Sequence, residues 1–292
     1  MEKILTHTDL HMHSAYSDGS DTPAEIIEKL RRREITTFAL TDHDTIAGCD
    51  EMARVVPEDM TFFRGIEFSC KSDAGKCHIL GYAYDPKSPD IREAVAEGER
   101  LRDRKFYERL EHLRVQHGIV FDSDEMQWLL SRTSVGKPHI ASLLIKRGLV
   151  TDVKEAIDLY IDDHGQKMKT GNTRIPASMA VKAILAAGGI PVWAHPLGGE
   201  GERRIGAEEF QAQLETLLSY GLQGLECWYS RYTEKEIQGL LGTAQEKGLL
   251  VSGGSDYHGK NKPTIYPGLL NCENVTVPEE SLTILLRLRA TL

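Results

Sequence analysis

The chain has 292 residues, a formal net charge of −9 and ordinary apolar content. That length suits one large domain or one domain carrying an insertion, and no apolar run approaches the roughly 20 residues of a membrane span. The acidic balance argues against broad binding to long nucleic acid, which requires basic surface, while leaving room for a local cationic pocket.

The first residues, Met1 to Asp9, lack the long apolar core of a secretion signal. Five cysteines, Cys49, Cys70, Cys77, Cys227 and Cys272, form no C-x-x-C pair. An odd set fits free thiols in a reducing compartment better than a disulfide framework, so the cytoplasm is the expected location. Cys70 and Cys77 flank a Lys/Asp/Gly turn and are expected as unpaired thiols near a hairpin.

In chain order, a short apolar stretch leads into Asp9-Leu10-His11-Met12-His13-Ser14. Residues i and i+2 of a strand share a face, so His11 and His13 aim at one point. Thr22-Pro23-Ala24-Glu25 reads as a helix start, with Thr as N-cap, Pro at the first helical position and Glu completing a capping box. Ile26, Ile27 and Leu30 form its buried face, and Arg31-Arg32-Arg33 complements the dipole at its end. The apolar run 36–40 ends in Thr41-Asp42-His43-Asp44, residues 61–63 lead into Gly65-Ile66-Glu67, and a strand over 77–82 carries His78.

From about Pro86 to about Arg174 the pattern is helical: a long charged amphipathic helix over 91–117, then shorter pieces around 140–146 and 153–160. Alternation resumes with a helix over 177–187 closed by Gly188-Gly189 and a strand over 190–194 ending in His195-Pro196. A helix over 210–220, a strand over 222–229 and a helix over 233–247 closed by Gly248 follow. A last strand over 249–252 runs into Gly253-Gly254-Ser255-Asp256-Tyr257-His258. Repeated strand–helix units imply parallel β-structure with helices outside. Its chemistry-bearing residues fall at C-terminal strand ends, where a (β/α) barrel places its site.

These residues are His11, His13, Asp18, His43, Glu67, His78, His195, Asp256 and His258. Singly, each has an ordinary reading: a strand-end His is usually half-buried packing, and Asp18 before Gly19 is turn chemistry. Jointly, six imidazoles and three carboxylates suit Mn²⁺, Zn²⁺ or Fe²⁺ better than Ca²⁺ or Mg²⁺. Nine ligands exceed the needs of one ion. Two or three divalent ions are expected, Mn²⁺ foremost, with Glu67 bridging a pair. His7, His112, His117 and His164 read as structural.

The motifs resemble those of the PHP (polymerase and histidinol phosphatase) phosphoesterases. Asp9 to Ser14 with Ser17-Asp18-Gly19 is similar to the first motif, Thr41 to Asp44 to the second, and Gly65-Ile66-Glu67 with His78 to the third. Ala194-His195-Pro196 and Ser255 to His258 are similar to the last two. The likeness spans residues 4–85 and 175–270. It implies a distorted (β/α)7 barrel formed by residues 1–86 and 175–292, with residues 87–174 as a mainly helical insertion over the active site. It also implies a trinuclear centre: His11, His13, Glu67 and Asp256 on one ion, Glu67, His78 and His195 on the second, Asp18, His43 and His258 on the third. Glu67, Asp18 and His195 are the expected catalytic residues.

A phosphate monoester suits such a site, because several cations bind its oxygens and a hydroxide bridging two ions is nucleophilic at neutral pH. No general acid is evident in the sequence. Within the insertion, Ser134-Val135-Gly136-Lys137-Pro138-His139 resembles the G-R-P-H-like segment of the PHP subgroup containing small-nucleotide phosphatases, with Lys137, a point charge rather than a planar fork, replacing the commoner Arg. Arg231 follows a strand end, and Arg203 and Arg204 lie in the loop after His195. Lys137, His139 and Arg231 are expected to grip a second phosphate, with Arg203 and Arg204 as further substrate contacts. Trp228, Tyr229 and Tyr232 offer a stacking surface for a base.

The expected partner is therefore a small phosphorylated metabolite, a nucleoside 3′,5′-bisphosphate first, with no membrane and no long nucleic acid. A 5-phosphoribosyl 1,2-cyclic phosphate, histidinol phosphate, a short oligonucleotide and amidohydrolase chemistry stay open as alternatives.

Overall fold

The computed structural model describes residues 8–162, 173–199, 202–270 and 276–292; His7, His164 and Cys272 lie outside them. The first strand, β1 (Thr8–Asp9), is short, and the chain then crosses Asp18 to reach α1 (Pro23–Arg32). The expected capping box is present: Glu25 N donates to Thr22 Oγ1 at 3.3 Å and Thr22 N donates to Glu25 Oε2 at 2.8 Å. Strand β2 (Thr37–Leu40) is buried throughout and is followed by α2 (Ala47–Val55).

Next, β3 (Thr61–Ser72) and β4 (Gly75–Tyr82) form an antiparallel hairpin in which Cys70 faces Cys77; both thiols are free and buried. The segment that follows contributes α3 (Pro89–His117), α4 (Ser123–Leu130), α5 (Lys137–Lys146) and α6 (Val153–Ala156), the last running into a π-helical turn. The chain returns through β5 (Ile175–Pro176) and α7 (Ala177–Ala186). It then alternates through β6 (Ile190–Ala194), α8 (Ala207–Tyr220), β7 (Gly224–Tyr229), α9 (Glu234–Lys247) and β8 (Leu250–Gly254), and ends in α10 (Ile284–Arg289).

The sheet order is β1-β2-β3-β4-β6-β7-β8, with β5 paired to the far end of β3. Seven strands thus make the wall of a distorted α/β barrel. One of them, β4, runs antiparallel to both neighbours, because a tight turn rather than a helical crossover joins it to β3. The β1–β8 seam is closed by a Met12–Tyr257 bridge, with Asp256 N donating to His11 O and His13 N to Tyr257 O, each at 2.8 Å. The first half of α3, through Ile91, Ala94, Val95 and Leu101, packs into the barrel core. Its second half, through Phe106 and Leu113, joins a separate apolar cluster with Leu129, Ile140 and Leu144. Among the described residues no helix is long and apolar enough to cross a membrane.

Gly254 lets the seam close. A Cβ there would lie 2.4 Å from His11 N and 2.8 Å from Asp9 Oδ1, and a backbone nitrogen cannot yield without opening the barrel. Gly254→Ala is expected to destabilise the chain by about 1–3 kcal/mol, the usual cost of overpacking, and to lower its metal content. Thermal melts with elemental analysis check both.

Candidate metal centre

Each candidate ligand is set by where its strand meets the barrel mouth. Leu10 and Met12 are buried in the two flanking apolar clusters, so the intervening His11 and His13 turn the other way, into the mouth, and are fully buried. His43 follows β2, His195 follows β6, and Asp256 and His258 follow β8. Two ligands depart from the strand-end expectation. Glu67 lies within β3 and His78 within the antiparallel β4, because the β3–β4 hairpin extends past the level of the mouth. Asp18 comes from the loop after β1. His195 and Asp256 have φ of 28° and 58°. Non-glycine residues in that region cost about 1–3 kcal/mol each and persist where surrounding structure imposes them.

All nine side chains converge. Glu67 Oε2 lies 3.2 Å from His11 Nε2 and 3.1 Å from His13 Nε2, and Asp256 Oδ1 lies 3.6 and 3.3 Å from the same nitrogens. The other oxygen, Glu67 Oε1, lies 2.9 Å from His78 Nδ1 and 2.8 Å from His195 Nε2, which are 3.3 Å apart. Asp18 lies 3.3 Å from His258 Nε2 through Oδ1 and 3.8 Å from His43 Nε2 through Oδ2. Donors held at about 2.0–2.2 Å from one tetrahedral ion are themselves roughly 3.4 Å apart, so the first two sets fit an ion each, with Glu67 between them. The third set, with His13 beside it, groups within 4.8 Å. Buried nitrogens of His13 and His43 have no hydrogen-bond partner, which a protein interior rarely tolerates and which metal coordination explains.

Behind the ligands lie acceptors that the sequence did not reveal. His11 Nδ1 lies 2.8 Å from Glu226 Oε1, and Glu226 Oε2 accepts from His195 N at 2.7 Å. His258 Nδ1 lies 2.8 Å from Asp256 O. Such contacts fix which ring nitrogen is left for a metal. Tyr229 and Lys262 donate to Asp256 Oδ2 at 2.8 and 2.6 Å. Asp9 accepts from His11 N, Ser255 N, Ser255 Oγ and Gly268 N, tying the first motif to the last. The one available signal was compositional: Glu226 is an acid inside an apolar strand.

Electrostatics at the cluster are those of crowded opposite charges. Burial works against the charged forms of Glu67, Asp18 and Asp256, yet the neighbouring imidazoles, and Lys262 for Asp256, hold all three well below the usual carboxylate range. Burial likewise opposes protonation of His13 and His195. Asp256 and Glu67 nevertheless raise His13 to about 9, and Glu202 and Glu67 raise His195 to about 10. Without metal, protons therefore stand in for the cations. An imidazole with a raised folded-state pKa contributes stability that is fully present below its unfolded value near 6.5 and is lost as pH rises through about 9 to 10. Metal uptake must displace these protons. The metal-free chain is expected to melt progressively lower from pH 7 to pH 10, and metal affinity to rise over the same range. Melts and titration calorimetry in buffers of different ionisation enthalpy check both.

The expected substrate contacts divide. Lys137 starts α5 and pairs with Asp162. His139 Nδ1 accepts from Gly136 N at 3.0 Å. A Cβ on Gly136 would lie 3.1 Å from Asp18 Cβ, so this segment abuts the third ligand set. Arg203 instead pairs with Glu209, and Arg204 with Glu236 while covering the Tyr232 ring. Arg231 is exposed and donates to Thr264 Oγ1 at 2.8 Å. Tyr229 and Tyr232 are buried, with Tyr229 OH on Asp256 and Tyr232 OH accepting from Leu197 N. Their faces are taken up by packing, which corrects the expectation that they stack a base.

A cationic set on the other side was missed. Arg102, Lys105 and Arg109 share one face of α3 at spacings of three and four. Arg102 donates to Asp44 Oδ2 at 3.2 Å and sits close enough to His43 and His139 to repel their protonated forms. Burial, reinforced by Arg109, Arg174, Arg102 and Lys137, pushes the Lys105 ammonium well below its usual range. Arg109, itself buried, feels Asp162 and Asp18.

A barrel with nine His, Asp and Glu side chains gathered at one mouth, two donor sets sharing a single carboxylate, is the scaffold of a metal-dependent hydrolase. The chain belongs to the PHP domain family, whose pattern matches residues 9–162, and it is a metal-dependent phosphoester hydrolase of that family. It is 29% identical over 260 residues to a 3′,5′-nucleoside bisphosphate phosphatase of Chromobacterium violaceum, covering 87% of this chain and 88% of that one. It is 30% identical over 256 residues to a 5′-3′ exoribonuclease of Haemophilus influenzae (86% and 89% covered). Against a phosphoribosyl 1,2-cyclic phosphate 1,2-diphosphodiesterase of Eggerthella lenta the identity is 28% over 257 residues (86% and 94%). A solved structure from Bifidobacterium adolescentis, assigned as a metal-dependent phosphoesterase, superposes with a TM-score of 0.79 at 28% identity over 99% of this chain and 98% of that one.

Proposed function

We propose that the chain removes a phosphate from a small molecule bearing two phosphates, a nucleoside 3′,5′-bisphosphate being the first candidate. The observation that carries this is the group of cationic side chains gathered beside the ligand cluster. Arg102, Lys105, Arg109, Lys137 and Arg174 gather there; among the described residues Arg102 pairs with Asp44 and Lys137 with Asp162. Mutually repelling, half-buried cations call for an anion that arrives with the substrate. A phosphate monoester carries up to two negative charges and accepts charge-assisted hydrogen bonds from such cations.

His11, His13, Glu67 and Asp256 would hold one ion, Glu67, His78 and His195 a second, and Asp18, His43 and His258 a third. When bound, these ions supply Lewis acidity and lower the pKa of water. The chain's own residues do the rest. Glu67 keeps the first two donor sets in register through its two oxygens. Tyr229 and Lys262 hold Asp256 in place. The Gly136–His139 segment and the α3 cations seat the phosphate that is not cleaved, so that the other reaches the cluster. Mn²⁺ is the first metal to try, with Zn²⁺ and Fe²⁺ next, on the chemistry of a mixed nitrogen and oxygen donor set.

The bisphosphate phosphatase of C. violaceum supports this substrate. A cyclic ribose phosphate carrying a second phosphate fits the same cations, in line with the E. lenta relative. A short 5′-phosphorylated RNA is the third candidate, in line with the H. influenzae exoribonuclease. The test is phosphate release by the Mn²⁺-loaded protein from nucleoside bisphosphates, matching monophosphates, cyclic ribose phosphates, short 5′-phosphorylated RNA and histidinol phosphate. A bisphosphate is expected to exceed the matching monophosphate by roughly 10–100-fold in kcat/KM, the worth of one charged hydrogen-bond set. Equal values for the two overturn the proposal.

A further inference from the structure

Glu202 lies in the loop after β6 and is claimed by none of the roles above. Its carboxylate faces both histidines of the second donor set from behind. Glu202 Oε2 is 3.3 Å from His195 Nδ1, and Glu202 Oε1 is 3.9 Å from His78 Nε2. These are the ring nitrogens opposite those that meet Glu67, which are His195 Nε2 at 2.8 Å and His78 Nδ1 at 2.9 Å. Two imidazoles are thus held between two carboxylates, one on each side.

The loop is shaped for this contact. Gly198 has φ of 102°, and Gly199 lies so close to the His195 ring that a Cβ would fall 3.0 Å from its Nδ1. Gly199 N donates to Glu202 Oε2 at 3.1 Å. The chain therefore folds back over His195 and presents the acid to its outer nitrogen.

An imidazole that gives one nitrogen to a metal carries its proton on the other, and that N–H requires an acceptor. His11 has Glu226 and His258 has the Asp256 carbonyl. For His78, Nε2 is buried and has no hydrogen-bond partner. Among the described residues, the carboxylate within 4 Å of it is that of Glu202. A closure of several tenths of an ångström gives both N–H groups one shared acceptor.

We propose that Glu202 is a positioning residue for the second ion. It braces the outer nitrogens of His78 and His195 together, and so sets how firmly that ion is held, without touching the reacting phosphate. The proposal rests on the reading of the nine-residue cluster as a metal centre.

The experiment is a metal titration of the metal-free full chain, wild type against Glu202→Gln and Glu202→Asp, with Zn²⁺ and with Mn²⁺, followed by elemental analysis at graded free metal. One ion is expected to weaken on the order of 10–100-fold in Glu202→Gln, as for loss of other acceptors behind metal-bound histidines. The remaining ions should keep their affinity, and Glu202→Asp should recover part of the loss. In the Zn²⁺-loaded wild type with ¹⁵N-labelled histidine, His195 should be metallated through Nε2 and His78 through Nδ1. Unchanged affinity for every ion in Glu202→Gln overturns the proposal, as does metallation of both rings through the nitrogens that face Glu202. A wild-type chain that takes up no metal overturns the underlying metal centre instead, so the two failures are distinct.

Discussion

Glu67→Gln is expected to reduce phosphate release by on the order of 10³-fold or more, since charge stabilisation by bound ions is worth several kcal/mol and each 1.36 kcal/mol is tenfold in rate. The side chain has two jobs that an amide cannot share. Its Oε2 meets His11 and His13 at 3.2 and 3.1 Å, and its Oε1 meets His78 and His195 at 2.9 and 2.8 Å. A glutamine must aim its NH₂ at one of these pairs. There it competes with a cation for the imidazole lone pairs and removes a full negative charge from between the sets. The metal-free protein should also suffer. It keeps protons on His13 and His195 partly through Glu67, and breaking a buried charge pair from one side costs about 3–5 kcal/mol. Retention of activity within tenfold, with unchanged metal content, would remove Glu67 from the centre of the mechanism.

That Glu67 is legible in the sequence while Glu226 and Glu202 are not has a physical cause. The nine candidate ligands sit in short motifs, and strand periodicity alone says that His11 and His13 share a face. An acceptor behind a ligand has no such local signature. Glu226 serves His11 from 215 residues away, and on its strand it reads as an acid turned to solvent. Arg102, Lys105 and Arg109 were hidden for a related reason. The same helix carries exposed pairs such as Glu97–Arg100 and Glu111–Arg114, so charge on α3 is uninformative until Asp44 and Arg174 close over one face of it. The converse case concerns Arg203 and Arg204. Two adjacent arginines after a ligand suggest a phosphate grip, but Glu209 in the first turn of α8 and Glu236 in the first turn of α9 pair with them. At the level of elements, α1 was readable through its Thr22–Glu25 box, whereas α2 has Ile46 at its N-cap and so no side-chain cap. The reversal of β4 follows from the turn between Cys70 and Cys77, which was legible as a hairpin although the repeated strand–helix units suggested parallel strands.

Lys105→Met should separate binding from stability in opposite directions. The ammonium of Lys105 is disfavoured by burial first and then by Arg109, Arg174, Arg102 and Lys137. A lysine whose folded-state pKa is depressed costs stability at every pH below that value, and the cost fades as pH climbs towards the unfolded value near 10.4. Methionine fills nearly the same space without the charge, so at pH 7 the substrate-free variant is expected to melt at or above the wild-type temperature. For a bisphosphate the result should reverse. A charge-assisted hydrogen bond is worth about 1.5–3 kcal/mol, which corresponds to a KM raised roughly 10–100-fold. An aryl monophosphate, with no second phosphate to seat, should be turned over within about twofold of wild type. Inorganic phosphate should raise the melting temperature of wild type more than that of the variant, because only the former offers an ammonium to the anion. Arg231→Ala, whose guanidinium already donates to Thr264, is expected to shift the bisphosphate KM less than Lys105→Met does. Equal losses on both substrates in Lys105→Met, or a variant that melts well below wild type, would mean that these cations serve the fold rather than a phosphate.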